Sequence, residues 1–138
     1  MSKLAAAIYS KLSGSTAVTA LTGTRIFPGH IPQGKSYPNC RFIVSDIEQI
    51  HTSTGHDKTH RASLQVDCYA VDSYLTACNL SEAIREALNT QSTTFGTLEI
   101  FNSHITSEID EPPFRPADGS DKWIYGRSLD CNLHFLTT

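Results

Sequence analysis

The 138-residue sequence has no run of about 18 apolar residues, the length that a membrane-spanning helix requires. It also has no excess of basic residues, because 11 Lys and Arg are set against 14 Asp and Glu for a formal net charge of −3. Tight electrostatic binding to nucleic acid needs such an excess, so it is not expected. Charged residues are only 18% of the chain, too few for a coiled coil or a charged disordered protein.

Several sequence motifs are also missing. The four cysteines, Cys40, Cys68, Cys78 and Cys131, are widely spaced and form no Cys-x-x-Cys pair. This favours reduced, buried thiols over disulfides or zinc. There is no nucleophile elbow, phosphate loop or dinucleotide fingerprint. The first apolar run ends at Tyr9, too early for a signal peptide, and is typical of a short helix in a cytoplasmic product.

Hydrophobic periodicity predicts one α+β domain over residues 1–138. Apolar residues have helical spacing at 3–12, 16–21 and 73–89. The apolar stripe of the last segment consists of Tyr74, Ala77, Leu80, Ala83, Ile84, Ala87 and Leu88. We expect Asp72 to be the N-cap of the last of these helices. Alternation predicts strands at 40–50, 61–69, 94–101, 102–109 and 123–136, with a bulge at Gly126. In the strand at 61–69, Ala62, Leu64, Val66 and Cys68 share one face. One buried and one wet face per strand indicates an antiparallel sheet of about four to five strands, with helices packed on one face.

Two segments interrupt these patterns. Residues 51–60 are polar around a central glycine, and residues 110–122 contain three prolines. We predict two long loops, which are usually functional or disordered at this length, and we assign assembly surfaces to them. The candidate interface residues are His51, His56, Asp57, Lys58, His60, Asp110, Glu111, Phe114, Arg115 and Trp123.

The same segments allow other chemistry. His51, His56 and His60 fall within ten residues and suggest a metal site, although a solvated loop explains them better. The hypothesis of a catalytic cysteine with a histidine as its base has less support than the metal site, because thiols that point inward from strands are usually inert. Five acids between Glu108 and Asp121 fit glycosidase carboxylates, a solvated loop or a pore lining. Aromatic residues near Trp123 either close the core or anchor an interface.

A resemblance to a known family runs through most of the chain. Residues 21–34, Leu-Thr-Gly-Thr-Arg-Ile-Phe-Pro-Gly-His-Ile-Pro-Gln-Gly after a short helix, resemble the opening of the tail completion proteins of long-tailed phages. These are the tail-terminator and tail-to-head joining proteins of siphophages. Similar patterns follow at 38–44, in the strand at 61–70, in the helix at 74–88 and in the last strand at 125–133. The histidine-rich segment 51–60 departs from the family pattern.

The resemblance implies a structural virion protein without catalytic residues or cofactors. Such proteins form a ring, commonly a hexamer, that caps the head-proximal end of the tail tube and stops its polymerisation. The implied partners are further copies of the chain, the tail tube protein and the head connector or stopper protein, in the virion after assembly in the host cytoplasm. The acidic net charge suits a ring through which DNA passes without specific binding.

Three further expectations remain open at this level. Part of the acidic group around Asp110 and Glu111 is expected to face the lumen of the ring. A head-side connector or stopper subunit is the alternative function in the same class. A small histidine-dependent metalloenzyme is the alternative in a different class.

Overall fold

The computed structural model describes residues 2–52, 55–115 and 121–136, with the main chain alone at 2, 49–52 and 55–58. The elements are α1 (Ser2–Ser13), α2 (Thr16–Thr22), β1 (Ile26–Pro28), β2 (Asn39–Thr52), β3 (Gly55–Val71), α3 (Tyr74–Leu88), β4 (Thr90–Phe95), β5 (Leu98–Phe114) and β6 (Ile124–Leu136). The described residues thus form three helices and six strands. The predicted α+β class is confirmed, with one strand more than expected.

The strands of the described residues form one sheet in the order β1-β2-β3-β6-β5-β4. Four neighbouring pairs are antiparallel, but β1 runs parallel to β2, with Ile26 opposite Cys40. The expected purely antiparallel sheet is therefore wrong at this edge. The reason is the segment 29–38, which returns the chain to the level where β1 began. Arg25 secures that return, since its Nε–H donates to the carbonyl of Pro38 at 2.9 Å.

The hydrophobic core lies between the helices and one face of the sheet. Strand alternation turns Ala62, Leu64, Val66 and Cys68 of β3 towards the helices, as predicted. Side chains from all three helices fill the same cluster, among them Leu4, Ile8, Leu12, Val18, Leu80, Ile84 and Leu88. The expectation that the helices pack on one face is confirmed. We call this the helix face and the opposite side the far face.

Most of the first predicted loop and the first five residues of the second are strand. β2 and β3 pair as far as Thr52 opposite Gly55, so only residues 53 and 54 between them lie outside the described chain. β5 runs on to Phe114 and stays paired with β6. Polar side chains misled the prediction, because pairing satisfies the main chain whatever the side chains are. The prolines of this segment fit because β5 has a register shift between Glu111 and Phe114.

Helix α3 begins at a different residue from the one predicted. Its N-cap is Ser73, whose hydroxyl accepts a hydrogen bond from the main-chain N–H of Thr76 at 3.1 Å. Asp72 has a positive φ of 56° and contacts Trp123 instead. Its N–H donates to the Trp123 carbonyl at 2.8 Å, and its Oδ1 accepts from the Trp123 N–H at 3.2 Å. Asp72 therefore joins the start of α3 to the start of β6.

None of the helices in the described part of the chain has the length and apolar character needed to cross a membrane.

Candidate assembly surfaces

The predicted interface residues lie at opposite ends of the sheet. His51, His56, Asp57, Lys58 and His60 belong to the hairpin that joins β2 to β3, which we call the hairpin end. Phe114 and Trp123 lie where β5 finishes and β6 starts, which we call the aromatic end. β3 spans 17 residues between the two ends, or roughly 50 Å at about 3.3 Å per residue. The structure therefore divides the candidates into two separate groups.

At the hairpin end, His60 is the one candidate with a described side chain. Its ring stacks on Phe135, with 5.3 Å between the ring centroids and 19° between the ring planes. The side chains of His51, His56, Asp57 and Lys58 lie outside the described part, although the main chain places His51 opposite His56. Among the described side chains, no group of three or more His, Cys, Asp or Glu is placed to hold a metal ion. The side chains of His51 and His56 lie outside the described part, so the hypothesis that they bind a metal ion stays a prediction.

The aromatic end exposes large apolar side chains. Phe114 is 42% exposed and Trp123 is 41% exposed, so neither ring closes the core. The guanidinium of Arg115 lies 4.7 Å from the centroid of the Trp123 ring, within cation–π range. Tyr74 and Leu75, at the start of α3, are also exposed. These four account for most of the seven large hydrophobic side chains that are exposed among the described residues.

Asp110 and Glu111 are neighbours in sequence but point to opposite faces of β5. Asp110 opposes Arg127 in the β5–β6 ladder, on the helix face, whereas Glu111 opposes Gly126 on the far face. Strand alternation separates consecutive side chains in this way once the segment is a strand. The two carboxylates therefore do not form the common acidic surface expected of a loop, nor a pair that could flank a glycosidic bond.

On the helix face, Asp110 takes part in a charged network with Arg127 at its centre. Arg127 donates to Asp110 at 2.7 Å and to Glu108 at 3.3 Å, and Arg85 donates through Nε to Glu108 at 2.9 Å. The Tyr74 hydroxyl donates to Asp110 at 2.7 Å, and this hydrogen bond raises the pKa of Tyr74 to about 12. The charge of Asp110 is thus offset within the protomer.

On the far face, Glu111 lies beside Tyr69 and Gly126. Burial, followed by the charge of Glu111, raises the pKa of Tyr69 to about 12. Burial and the nearby charge of Asp67 raise the pKa of Glu111. A Cβ on Gly126 would lie 2.8 Å from Cε1 of Tyr69 and 3.0 Å from Oε2 of Glu111. Gly126 is therefore needed for close packing, and the bulge predicted there lies across the ladder in β5.

Sequence reasoning missed an ion pair on the far face, between Arg41 and Asp67. Nε of Arg41 donates to Oδ2 of Asp67 at 2.9 Å, and the Gln65 amide donates to both Asp67 oxygens at 3.0 and 3.2 Å. The Asp67 side chain is only 1% exposed. Arg41 and Asp67 are each typical of the solvent-exposed face of a strand. The signal that could have found the pair is the hairpin register, which sets Arg41 directly opposite Asp67.

Arg41 also lines a cavity of about 680 Å³ on the far face. Segment 30–35 and Tyr37 form one wall of this cavity, and Tyr69, Val71, Phe114, Lys122 and Ile124 complete the lining. Because Phe114 belongs to both, the cavity adjoins the aromatic end.

Comparison with known proteins bears on what these surfaces do. A solved structure described as the virion of a native gene transfer agent (GTA) particle is similar with a TM-score of 0.73 at 17% identity, over 97% of this chain and 95% of that chain. A second solved structure is similar with a TM-score of 0.53 at 15% identity, over 100% and 99% of the two chains. At these identities the likeness shows the fold. No curated protein matches the sequence.

The family model described as tail completion protein gp17 matches residues 6–114, most of the chain. The protein therefore belongs to the tail completion protein gp17 family, and it is a structural protein of the phage tail and so of the virion.

Proposed function

We propose that this protein is a non-enzymatic tail terminator and tail-to-head joining protein, acting as a ring of copies, with six copies expected. In this role the ring caps the head-proximal end of the tail tube and presents its other side to the head connector. The observation that carries the proposal is the placement of two candidate surfaces at opposite ends of one sheet, whose strand β3 is roughly 50 Å long. A joining protein must hold two neighbours at once, and opposite ends of a sheet allow both to bind without colliding.

The aromatic end has the composition of a binding surface. Trp, Tyr and Arg are enriched among the residues that dominate interface energies. Trp123 and Arg115 are already held against each other, which limits the side-chain entropy that binding costs. The hairpin end, with His51, His56, Asp57, Lys58 and His60, is the second proposed surface. DNA is proposed to pass the lumen without specific binding, consistent with the net charge of −3.

Electron microscopy of phage particles that carry Trp123→Ala tests the proposal. Because Trp123 is 41% exposed, we expect the variant to fold. Finished tails that never attach to heads would indicate that the aromatic end meets the connector, and overlong tails would indicate that it meets the tube. Tyr9→Ala is the matched control, since Tyr9 is equally exposed but lies on α1.

Normal, infectious particles from the Trp123 variant would contradict the role of the aromatic end. Headless tails with normal ends and complete heads that leak DNA would favour the head-side stopper function instead.

A further inference from the structure

We propose that the far-face cavity is a docking site for an extended polypeptide segment of another virion protein, one that carries a carboxylate beside an apolar side chain. In this proposal the Arg41 guanidinium receives the carboxylate. The inference deepens the proposed joining function and rests on it, since that function supplies such a partner.

The first argument is the geometry of Arg41. Its Nε–H is used by Asp67, and Asp67 is fixed by burial and by Gln65, so the guanidinium is held in one orientation. Within the described residues, its two Nη groups have no hydrogen-bond acceptor, and the side chain is 32% exposed where it lines the cavity. A guanidinium with two donors available binds a carboxylate in a bidentate manner.

The second argument is charge. The cations Lys35 and Arg41 line the cavity, and no Asp or Glu is among its described lining residues. Two carboxylates of the far face contact protein groups instead, Asp67 through Arg41 and Glu111 through Tyr69. A cavity whose described lining carries cations and no carboxylate is complementary to an anionic group.

The third argument is the apolar part of the lining, which favours a protein segment over nucleic acid. Ile31, Pro32, Tyr37, Phe114 and Ile124 form much of the wall. A phosphate backbone gains nothing from such a wall, whereas an aliphatic or aromatic side chain is stabilised by it. The volume of about 680 Å³ is in the range of cavities that bind ligands of a few residues.

Binding of a short peptide to the isolated protein tests the proposal directly. The probe is N-acetyl-Glu-Leu-Glu-Phe amide, and the control is N-acetyl-Gln-Leu-Gln-Phe amide, both titrated into ¹⁵N-labelled protein. We expect the acidic peptide to shift the amide resonances of residues 33–37, 69 and 114, and the neutral peptide to bind about tenfold more weakly. Equal binding of the two peptides, or no shift at millimolar peptide, would overturn the proposal.

Two variants test the role of the positive charges. Arg41→Lys keeps a cation beside Asp67 but removes the paired N–H donors of the guanidinium. We expect this variant to bind the acidic peptide about fivefold more weakly, or worse. Lys35→Glu lies outside the Asp67 network and is expected to fold normally while weakening binding as well. Unchanged binding in both variants contradicts the proposal.

Two further measurements separate other occupants. A DNA oligonucleotide or inorganic phosphate that shifts the same resonances as strongly as the acidic peptide would overturn the proposal in favour of nucleic acid. Shifts of those resonances with protein concentration alone, lost in Arg41→Lys, would overturn it in favour of a second copy of the chain.

Particle assembly distinguishes failure of this inference from failure of the joining function. Normal particles from Arg41→Lys phage, with blocked assembly from Trp123→Ala phage, would reject the cavity and leave the joining function standing. Blocked assembly in both is the expected result, and normal assembly in both rejects the joining function as well.

Discussion

Nε of Arg41 and Oδ2 of Asp67 lie 2.9 Å apart across the β2–β3 ladder, where the two residues are directly opposite each other. Asp67→Ala leaves the donors of Arg41 and Gln65 without their acceptor. We expect it to lower the free energy of unfolding by about 1.5–3 kcal/mol, the usual cost for hydrogen bonds to a charged group. Urea denaturation measures this change.

The matched control is Glu48→Ala. Glu48 opposes Arg61 in the same ladder, but the two charges are 3.9 Å apart and both side chains are more than half exposed. We expect a loss under about 0.5 kcal/mol, because exposed ion pairs are screened. Equal losses from the two variants would contradict the distinction.

Gly126→Ala is expected to destabilise the fold. The added Cβ would lie 2.8 Å from Cε1 and 2.9 Å from Cδ1 of Tyr69, inside any normal contact distance. Overpacking of this kind costs about 1–3 kcal/mol, which thermal unfolding will detect. In a Tyr69→Ala background the same substitution should cost much less, because the obstructing ring is absent. An undiminished cost in that background would mean that the strain has another origin.

Ser73→Ala is expected to weaken the start of α3. The Ser73 hydroxyl is the acceptor for the Thr76 N–H, and loss of an N-cap costs about 0.5–2 kcal/mol. Asp72→Asn is the control, because asparagine tolerates a positive φ and keeps an oxygen for the Trp123 N–H. A larger loss from Asp72→Asn than from Ser73→Ala in urea denaturation would restore Asp72 as the cap.

Glu111→Gln is expected to raise stability at neutral pH. Burial and Asp67 raise the pKa of Glu111 in the folded protein, so folding favours the protonated carboxyl. Its stabilising contribution is complete below the unfolded pKa of about 4.3 and is lost as the pH rises through the folded pKa. A neutral amide at this position does not ionise, so its contribution to stability does not change with pH. Thermal unfolding midpoints should therefore be higher for Glu111→Gln at pH 7 and converge with the natural protein near pH 4.

A difference that stays constant from pH 3.5 to pH 7.5 would show that Glu111 titrates normally.

The cysteines should differ in reactivity. Burial raises the pKa of Cys40 to about 12 and raises the pKa of Cys68 and Cys131 as well, whereas Cys78 is only half-buried. Since the thiolate is the nucleophile, iodoacetamide at pH 8 should modify Cys78 alone in the native protein and all four thiols in denaturant. Mass spectrometry measures both counts. Rapid native modification of Cys68 would contradict the buried environment.

Much of the fold follows from local patterns. The alternation in β3 predicted which side chains, from Ala62 to Cys68, face the helices. The apolar spacing of α3 predicted most of its buried residues, including Leu80 and Ile84, but it wrongly placed Tyr74 in the same stripe, where the side chain is 47% exposed. The correct predictions hold because a single buried face imposes its period on the sequence.

Features set by long-range pairing did not follow from the sequence. β5 continues to Phe114 because β6 pairs with it, not because residues 110–114 favour a strand. The same pairing places Asp110 and Glu111 on opposite faces, whereas the predicted loop put them in one acidic group. The Arg41–Asp67 pair is likewise a consequence of register, which individual side chains do not reveal.

The outer side of β2 bears on how copies of this protein would associate in the proposed ring. β1 covers β2 only at residues 40–42, so the described strand beyond them has an open edge. That edge has register shifts at Val44/Asp46 and Gln49/His51, and it carries the exposed acids Asp46 and Glu48. Irregular, charged edges of this kind resist fibre-like growth by main-chain pairing. In the proposed ring we therefore expect copies to associate through side chains rather than by main-chain pairing along this edge.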